Sequence, residues 1–235
     1  MTRRPTPSVR ALAAEIRDGV CAARDRTVPT LRLLRRDATR RVETLRPAVV
    51  FRLAHALLAD TSLPHWLVYE LLHHHAGAMT SITVAQLRRL GKGAADWGSV
   101  DAFACYLSGP AWRDGRIDDA AIHRWAASAD RWWRRVAVVS SVPLNNSARG
   151  GSGDAARTLA VCDLVKQDRD DMVVKAVSWA LRELAKKDPA VVQAYLHANR
   201  EVLAARVVRE VRNKLETGLK APRRRSGRRN GSASA

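Results

Sequence analysis

Cysteine is scarce: three in 235 residues, Cys21, Cys105 and Cys162, far apart in the chain. That excludes a disulfide-stapled secreted scaffold and fits a reducing, cytoplasmic setting. None stands in a CxxC pair or beside a His pair, so no zinc or iron–sulfur site is expected, and no other cofactor is implied. Aromatic residues make up only 5% of the chain, and no segment keeps a period-2 alternation beyond a few residues. With Ala, Val, Leu and Arg abundant, this favours helix over sheet. Long apolar runs are missing too. Stretches such as Pro47 to Phe51 fall far short of the roughly 18 residues a membrane span needs, so no membrane partner is expected. The residues after Met1 form no apolar signal-peptide core. Acidic residues are few: 23 Asp and Glu face 41 Lys and Arg, a formal charge of +18.

What is present is a core and a large excess of positive charge. Apolar residues are 46% of the chain, too many for a disordered basic protein. Five of the eighteen excess charges lie in residues 221–235, an acid-free stretch of Arg, Gly, Ser, Ala and Asn that reads as a disordered Arg-rich tail. The other thirteen belong to residues 1–220, read as one folded domain and a monomer. A surface this basic has nucleic acid as its natural partner.

Helical periodicity runs through most of the domain, as in Val49, Val50, Leu53, Leu57 and Leu58. The segments are separated by Pro and Gly, at Pro29, Pro47, Pro64, Pro110, Pro143 and Pro189 among others. The Gly150 to Gly153 stretch follows no strand and lacks the Lys-Ser/Thr ending of a phosphate loop, so it reads as a flexible insert. An internal match appears between the segment opening at Asp130 and the one opening at Asp170, an offset of 40 residues. In each, an Asp precedes an apolar helix and a cation stands five places on, Arg135 in one and Lys175 in the other. A period near 40 is that of two-helix HEAT-like units, so the expected fold is an all-α solenoid with a concave basic face.

Chemistry concentrates in three places. On the helix after Asp170, Val173, Val177, Ala180 and Leu184 form the apolar stripe. Lys175, Trp179, Arg182 and Lys186, spaced 4, 3 and 4, form a second stripe opposite. Like charges on one stripe repel by about 0.2–0.5 kcal/mol per adjacent pair unless an anion lies across them. A phosphate backbone would supply that anion, and an indole between cations can contact sugar or base. On the helix after Asp130, Trp132 and Trp133 face the core with Val136, while Arg131, Arg134 and Arg135 are placed for phosphate. The third place is Asp96-Trp97-Gly98-Ser99-Val100-Asp101, where Asp101 is expected in a helix's first turn. There it could simply complement the helix dipole. On a phosphate-holding face, however, a carboxylate needs a chemical reason.

Trp97-Gly98-Ser99-Val100-Asp101, Trp132-Trp133-Arg134-Arg135-Val136-Ala137 and Lys175-Ala176-Val177-Ser178-Trp179-Ala180-Leu181-Arg182-Glu183 resemble the motifs of AlkD-like DNA alkylation repair enzymes. These are HEAT-repeat alkylpurine DNA glycosylases. The third motif is the most specific, and order and spacing agree in all three. The resemblance spans about Val28 to Lys214. It departs from the family pattern in lacking polar residues before Pro29 and in the Gly-rich Asn145 to Gly153. By this resemblance Asp101 is the catalytic carboxylate, Trp97 and Trp179 flank the lesion, and Arg135 and Arg182 contact the DNA backbone. The implied activity is hydrolytic release of N3- and N7-alkylated purines from double-stranded DNA without base flipping.

Two other readings share the basic concave face. One is a non-catalytic nucleic-acid-binding or scaffold protein, which gains nothing from a carboxylate at position 101. The other, an RNA-binding solenoid, lacks a base-by-base code repeated along its helices. His73-His74-His75 is conspicuous, but consecutive helical residues point about 100° apart and cannot share one metal. Core-facing histidines are the expected reading.

Overall fold

The computed structural model describes residues 8–222, and the Arg-rich stretch from 223 on lies outside them. Among the described residues the chain is all helical, an α-solenoid built from stacked helix pairs. Its inner row is α2 (Val28–Val42), α4 (His65–His73), α7 (Trp97–Phe103), α10 (Arg131–Val139), α13 (Asp171–Leu184) and α15 (Ala205–Thr217). Each packs on the next along the row. An outer row contains α1 (Val9–Cys21), α3 (Pro47–Leu58), α9 (Asp119–Ala126), α12 (Ala155–Leu164) and α14 (Pro189–Ala198). These pack on α2, α4, α10, α13 and α15 respectively. Short helices α5 (Ala76–Thr80) and α6 (Val84–Leu90) precede α7, and α8 (Gly109–Arg113) and α11 (Val142–Asn145) follow α7 and α10. A single apolar core runs through all of it.

Local sequence explains where the helices begin. Asp130 and Asp170, the two ends of the 40-residue match, are both N-caps, each accepting from the N–H two residues on (Trp132 and Met172, both 2.9 Å). Asp96 caps α7 through the N–H of Ser99. Pro29, Pro47 and Pro189 sit in the first two positions of α2, α3 and α14, where a missing N–H is harmless. The prolines that look like breaks in the sequence are therefore starts. On α13 the stripe Val173, Val177, Ala180 and Leu184 is fully buried, as its spacing implies.

The inner helices run parallel. Arg131, first in α10, reaches Asp170 at the start of α13, and Arg206, second in α15, pairs with Asp171. His73, at the end of α4, meets the Tyr106 carbonyl at the far end of the α7 run. The positive dipole ends of the inner row therefore share one edge of the solenoid.

The α7 run is not regular. It passes through a π-helical turn, Ala104–Ser108, into α8. The N–H of Gly109 reaches back five residues to the carbonyl of Ala104, and Pro110 has no N–H to offer. The carbonyls left over are met from outside: His73 Nδ1 donates to Tyr106 at 2.8 Å, and Arg149 donates to Cys105. A side chain at Gly109 would sit 2.7 Å from the Ser140 carbonyl, and Ser108 and Ser140 share a hydrogen bond of the same length. The glycine thus lets α8 press on the end of α10, which fixes how α7 is presented. His75 caps α5 and binds the Leu45 carbonyl, so it and His73 both serve backbone groups.

The Gly150 to Gly153 stretch is not the flexible insert its composition suggests. Gly151 donates to the Asn146 carbonyl and Gly153 to that of Leu144. Asn145, buried, binds Ser141, Thr158 and the N–H of Asp154. A Cβ at Gly151 would lie 2.3 Å from the Pro143 carbonyl. Gly151→Ala should therefore lower unfolding free energy by about 2 kcal/mol or more, whereas Gly19→Ala in α1, where a Cβ meets nothing, should raise it by up to ~1 kcal/mol. Denaturant melts measure both. A silent Gly151→Ala would show that the turn is as loose as it reads in the sequence.

Candidate functional site

A cleft of about 330 Å³ opens on the inner row, lined by Trp97, Arg135, Met172, Lys175, Trp179, Arg182 and Lys220. Three successive inner helices and the chain beyond α15 meet there. Because the Asp96 cap starts α7 at Trp97, that indole is the first helical residue and stands 64% exposed. It forms one wall of the cleft. Trp179, half-buried, rises from α13 on the opposite wall.

Asp101 lies one turn further into the helix than the sequence suggests, in the second turn and not the first. It has left the dipole's reach, and its partner is a guanidinium. Arg135 Nε and Nη2 each bond one Asp101 oxygen at 2.8 Å, a bidentate pair across helices 34 residues apart. The side chains are only 15% and 7% exposed. Burial pushes the Asp101 pKa above the ordinary carboxylate value, the two Arg135 bonds and its charge pull it back, and the nearby Asp96 charge pushes it up again. The net direction is up. The remaining Arg135 nitrogen donates to the Met172 carbonyl on α13. One guanidinium thus ties three consecutive inner helices. Expected to grip a phosphate, Arg135 has its fork filled by the protein, though its flank still lines the cleft.

The other expected cations divide. Lys175 and Arg182 line the cleft with Trp179, as their stripe implies. Lys186, one turn on, turns away to Glu183 at 2.7 Å. Arg134 is spent on structure, bonding Asp168 at 2.6 Å and the carbonyls of Ser128 and Ala129. Arg131 lies 5.0 Å over the Trp132 ring, half-exposed, with Asp170 at 3.5 Å. Trp133 meets Phe103 and Trp125 in the core, as expected.

Repulsion along the α13 stripe does not require an outside anion, because the fold supplies acids. Lys175 pairs with Asp171 at 2.6 Å. Arg182 Nε bonds the Ser178 hydroxyl, which donates to the buried Glu210 of α15 at 2.6 Å, and Lys220 lies 3.6 Å from the same carboxylate. Burial lowers the Arg182 pKa, against Glu210 and Glu183, which raise it. Glu210 and Lys220 escape sequence reading: Ser178 and Glu210 are 32 residues apart and share no motif. Ser178 itself stands inside the Lys175–Glu183 run.

The inner row of this α-solenoid brings two indoles and four cations to a single cleft, with the Asp101 carboxylate directly behind Arg135. The chain belongs to the DNA alkylation repair enzyme family, whose model matches residues 26–215. No curated protein sequence matches it. Membership assigns a role in repair of alkylated DNA and the nucleic-acid binding that goes with it.

Breaking a largely buried ion pair strands a charge, which costs about 3–5 kcal/mol, whereas replacing both partners is far cheaper. Arg135→Met alone should therefore destabilise by about 3–5 kcal/mol, and adding Asp101→Asn should restore most of the loss. Denaturant unfolding of the full cycle tests this. Additive losses would mean that the two side chains do not depend on each other.

Proposed function

We propose that the protein is a monofunctional DNA glycosylase that releases cationic N3- and N7-alkylated purines from duplex DNA, acting as a monomer in the nucleoid-associated cytoplasm. The observation that carries this reading is a carboxylate, Asp101, held directly behind Arg135, one of the cations that line a cleft of cations and indoles. Alkylation at N3 or N7 leaves the purine positively charged. When the C1′–N9 bond breaks, its electron pair neutralises the ring, so the base leaves without a general acid. The deoxyribose becomes oxocarbenium-like and is attacked at C1′ by water. Asp101 stabilises the developing charge and accepts the water proton through lone pairs that Arg135 leaves open, since a carboxylate offers about four. Electrostatic groups of this kind are worth about 3–4 kcal/mol. Trp97 and Trp179 turn negative ring faces to the cationic base and sugar. Lys175, Arg182 and Arg131 hold phosphates, and Arg135 positions Asp101. An open cleft of this kind suits a base that is not flipped into a pocket.

One observation favours a second reading, a non-catalytic nucleic-acid-binding protein: both Asp101 oxygens already serve an ion pair that stabilises the fold. Incubation with duplex containing N7-methylguanine separates the two. Wild type should release free base and leave abasic sites. Asp101→Asn and the doubly neutral Asp101→Asn, Arg135→Met should bind duplex yet lose about 10²-fold or more in single-turnover rate. Release undiminished in both variants would sink the mechanism; release by none of the three proteins would establish the binder.

Asp101 must be ionised to act, and its pKa is raised. The single-turnover rate should therefore fall with decreasing pH through a value above the ordinary ~3.9 of an aspartate. A rate flat down to pH 4 contradicts this. Arg182→Ala should weaken binding to damaged and undamaged duplex alike and reduce the salt slope, d log K/d log[salt], by about 0.9. An unchanged slope would mean that Arg182 meets no phosphate.

A further inference from the structure

One end of the cleft is built from α15 and the turn that follows it. α15 stops at Gly218, whose backbone is left-handed (φ 73°) and whose N–H returns to the Lys214 carbonyl at 3.0 Å. Side chains of α15 hold the turn beyond. Lys214 Nζ donates to the Gly218 carbonyl at 2.6 Å, Asn213 Nδ2 donates to that of Lys220 at 3.1 Å, and the Thr217 hydroxyl accepts from the Leu219 N–H at 3.2 Å. Lys220 is thereby folded back against the helix and lines the cleft. It lies outside residues 26–215, the stretch matched to the family.

Both oxygens of Glu210, a side chain only 11% exposed, are committed to this corner. Oε2 accepts from the Ser178 hydroxyl at 2.6 Å, and the same hydroxyl accepts from Arg182 Nε at 3.2 Å. Oε1 lies 3.6 Å from Lys220 Nζ. Arg182 Nε is itself 4.0 Å from Oε2, and Ser178 is fully buried, so the link has no room to slide. Among the described residues neither Nη group of Arg182 makes a hydrogen bond. One buried carboxylate therefore anchors two cations, and the trio keeps a net positive charge. Two long, rotamer-rich side chains of like charge on one wall would otherwise swing apart. Gripping Arg182 by Nε leaves its Nη donors uncommitted, which suits a phosphate oxygen.

We infer that Glu210 is a positioning residue of the cleft, aiming Arg182 through Ser178 and Lys220 directly, so that the two cations clamp one backbone phosphate between them. The inference rests on the duplex-binding reading proposed above, and not on its chemistry. It gives an acid on a DNA-facing wall a role opposite to its charge. By Coulomb's law alone, neutralising Glu210 raises the positive potential of the wall and tightens duplex binding. If Glu210 positions the clamp, neutralising it loosens binding instead.

The test is binding of the full-length protein to a lesion-free duplex across a range of salt. Glu210→Gln keeps an oxygen for the Ser178 hydroxyl and removes the charge. It should weaken binding about three- to tenfold, through lost preorganisation, although the protein gains one positive charge. Ser178→Ala, which changes no charge, should weaken binding in the same direction, and it stands in should Glu210→Gln melt early. Lys220→Ala should lower the salt slope by about 0.9. Made in an Arg182→Ala, Lys220→Ala background, Glu210→Gln should no longer weaken binding. Binding as tight as wild type or tighter in both Glu210→Gln and Ser178→Ala would overturn the inference. So would a loss that persists undiminished in the doubly substituted background, since Glu210 would then act on the fold and not through the cations. A wild type that binds no duplex would overturn it together with the reading beneath it. Duplex binding with the predicted pattern but no release of N7-methylguanine would refute the glycosylase and leave this role standing.

Discussion

Everything in the cleft depends on the bidentate pair between Asp101 and Arg135. It joins α7 to α10, and through the Met172 carbonyl it reaches α13, so a single guanidinium aligns the helices that carry Trp97, Arg131 and Trp179. The same pair sets the chemical limit of the site. A free carboxylate on a face of cations would attract any nearby guanidinium or ammonium and be lost. Held by one fixed partner, largely buried behind it, Asp101 keeps a defined direction and a raised pKa. The pair's net charge is zero, so in the proposed reaction it would offer a developing cation an oriented dipole with the carboxylate's unshared lone pairs.

The basic inner row is stable for a related reason. Its cations are tethered singly by acids from neighbouring helices: Lys175 by Asp171, Arg131 by Asp170, Arg182 by Ser178 and Glu210, and Arg35 by Glu70. Most of these pairs are partly exposed, and such contacts add little stability one by one. Their effect is positional, holding donors in place before a phosphate arrives. Lys186 and Arg134 show the other use of the same chemistry, with charge spent on Glu183 and on loop carbonyls inside the repeat. A strongly basic composition does not by itself say which cations are free to bind.

That distinction marks what sequence could convey. Periodicity and caps are local, so Asp130 and Asp170 were legible as helix starts and the Val173 to Leu184 stripe as core. The cleft trio of Lys175, Trp179 and Arg182 follows from one helix's geometry and was legible too. The Arg135 fork was not, because its partner lies 34 residues away on another helix and nothing in the spacing points to it. Glu210 and Lys220 were hidden for the same reason. The position of Asp101 within its helix depended on whether Asp96 or a later residue is the cap. The Gly150 to Gly153 turn misleads by composition, since its rigidity comes from Asn145 and from a carbonyl approach only glycine permits.

The central proposal is that this cleft removes bases already carrying positive charge and supplies no proton to the leaving group. It is tested most directly by single-turnover release from matched duplexes holding either N7-methylguanine or uracil. The account predicts release of N7-methylguanine and none of uracil above the uncatalysed background, at any pH where the protein is folded. Release of uracil at a comparable rate would mean that the cleft stabilises a base departing as an anion, and would contradict the account.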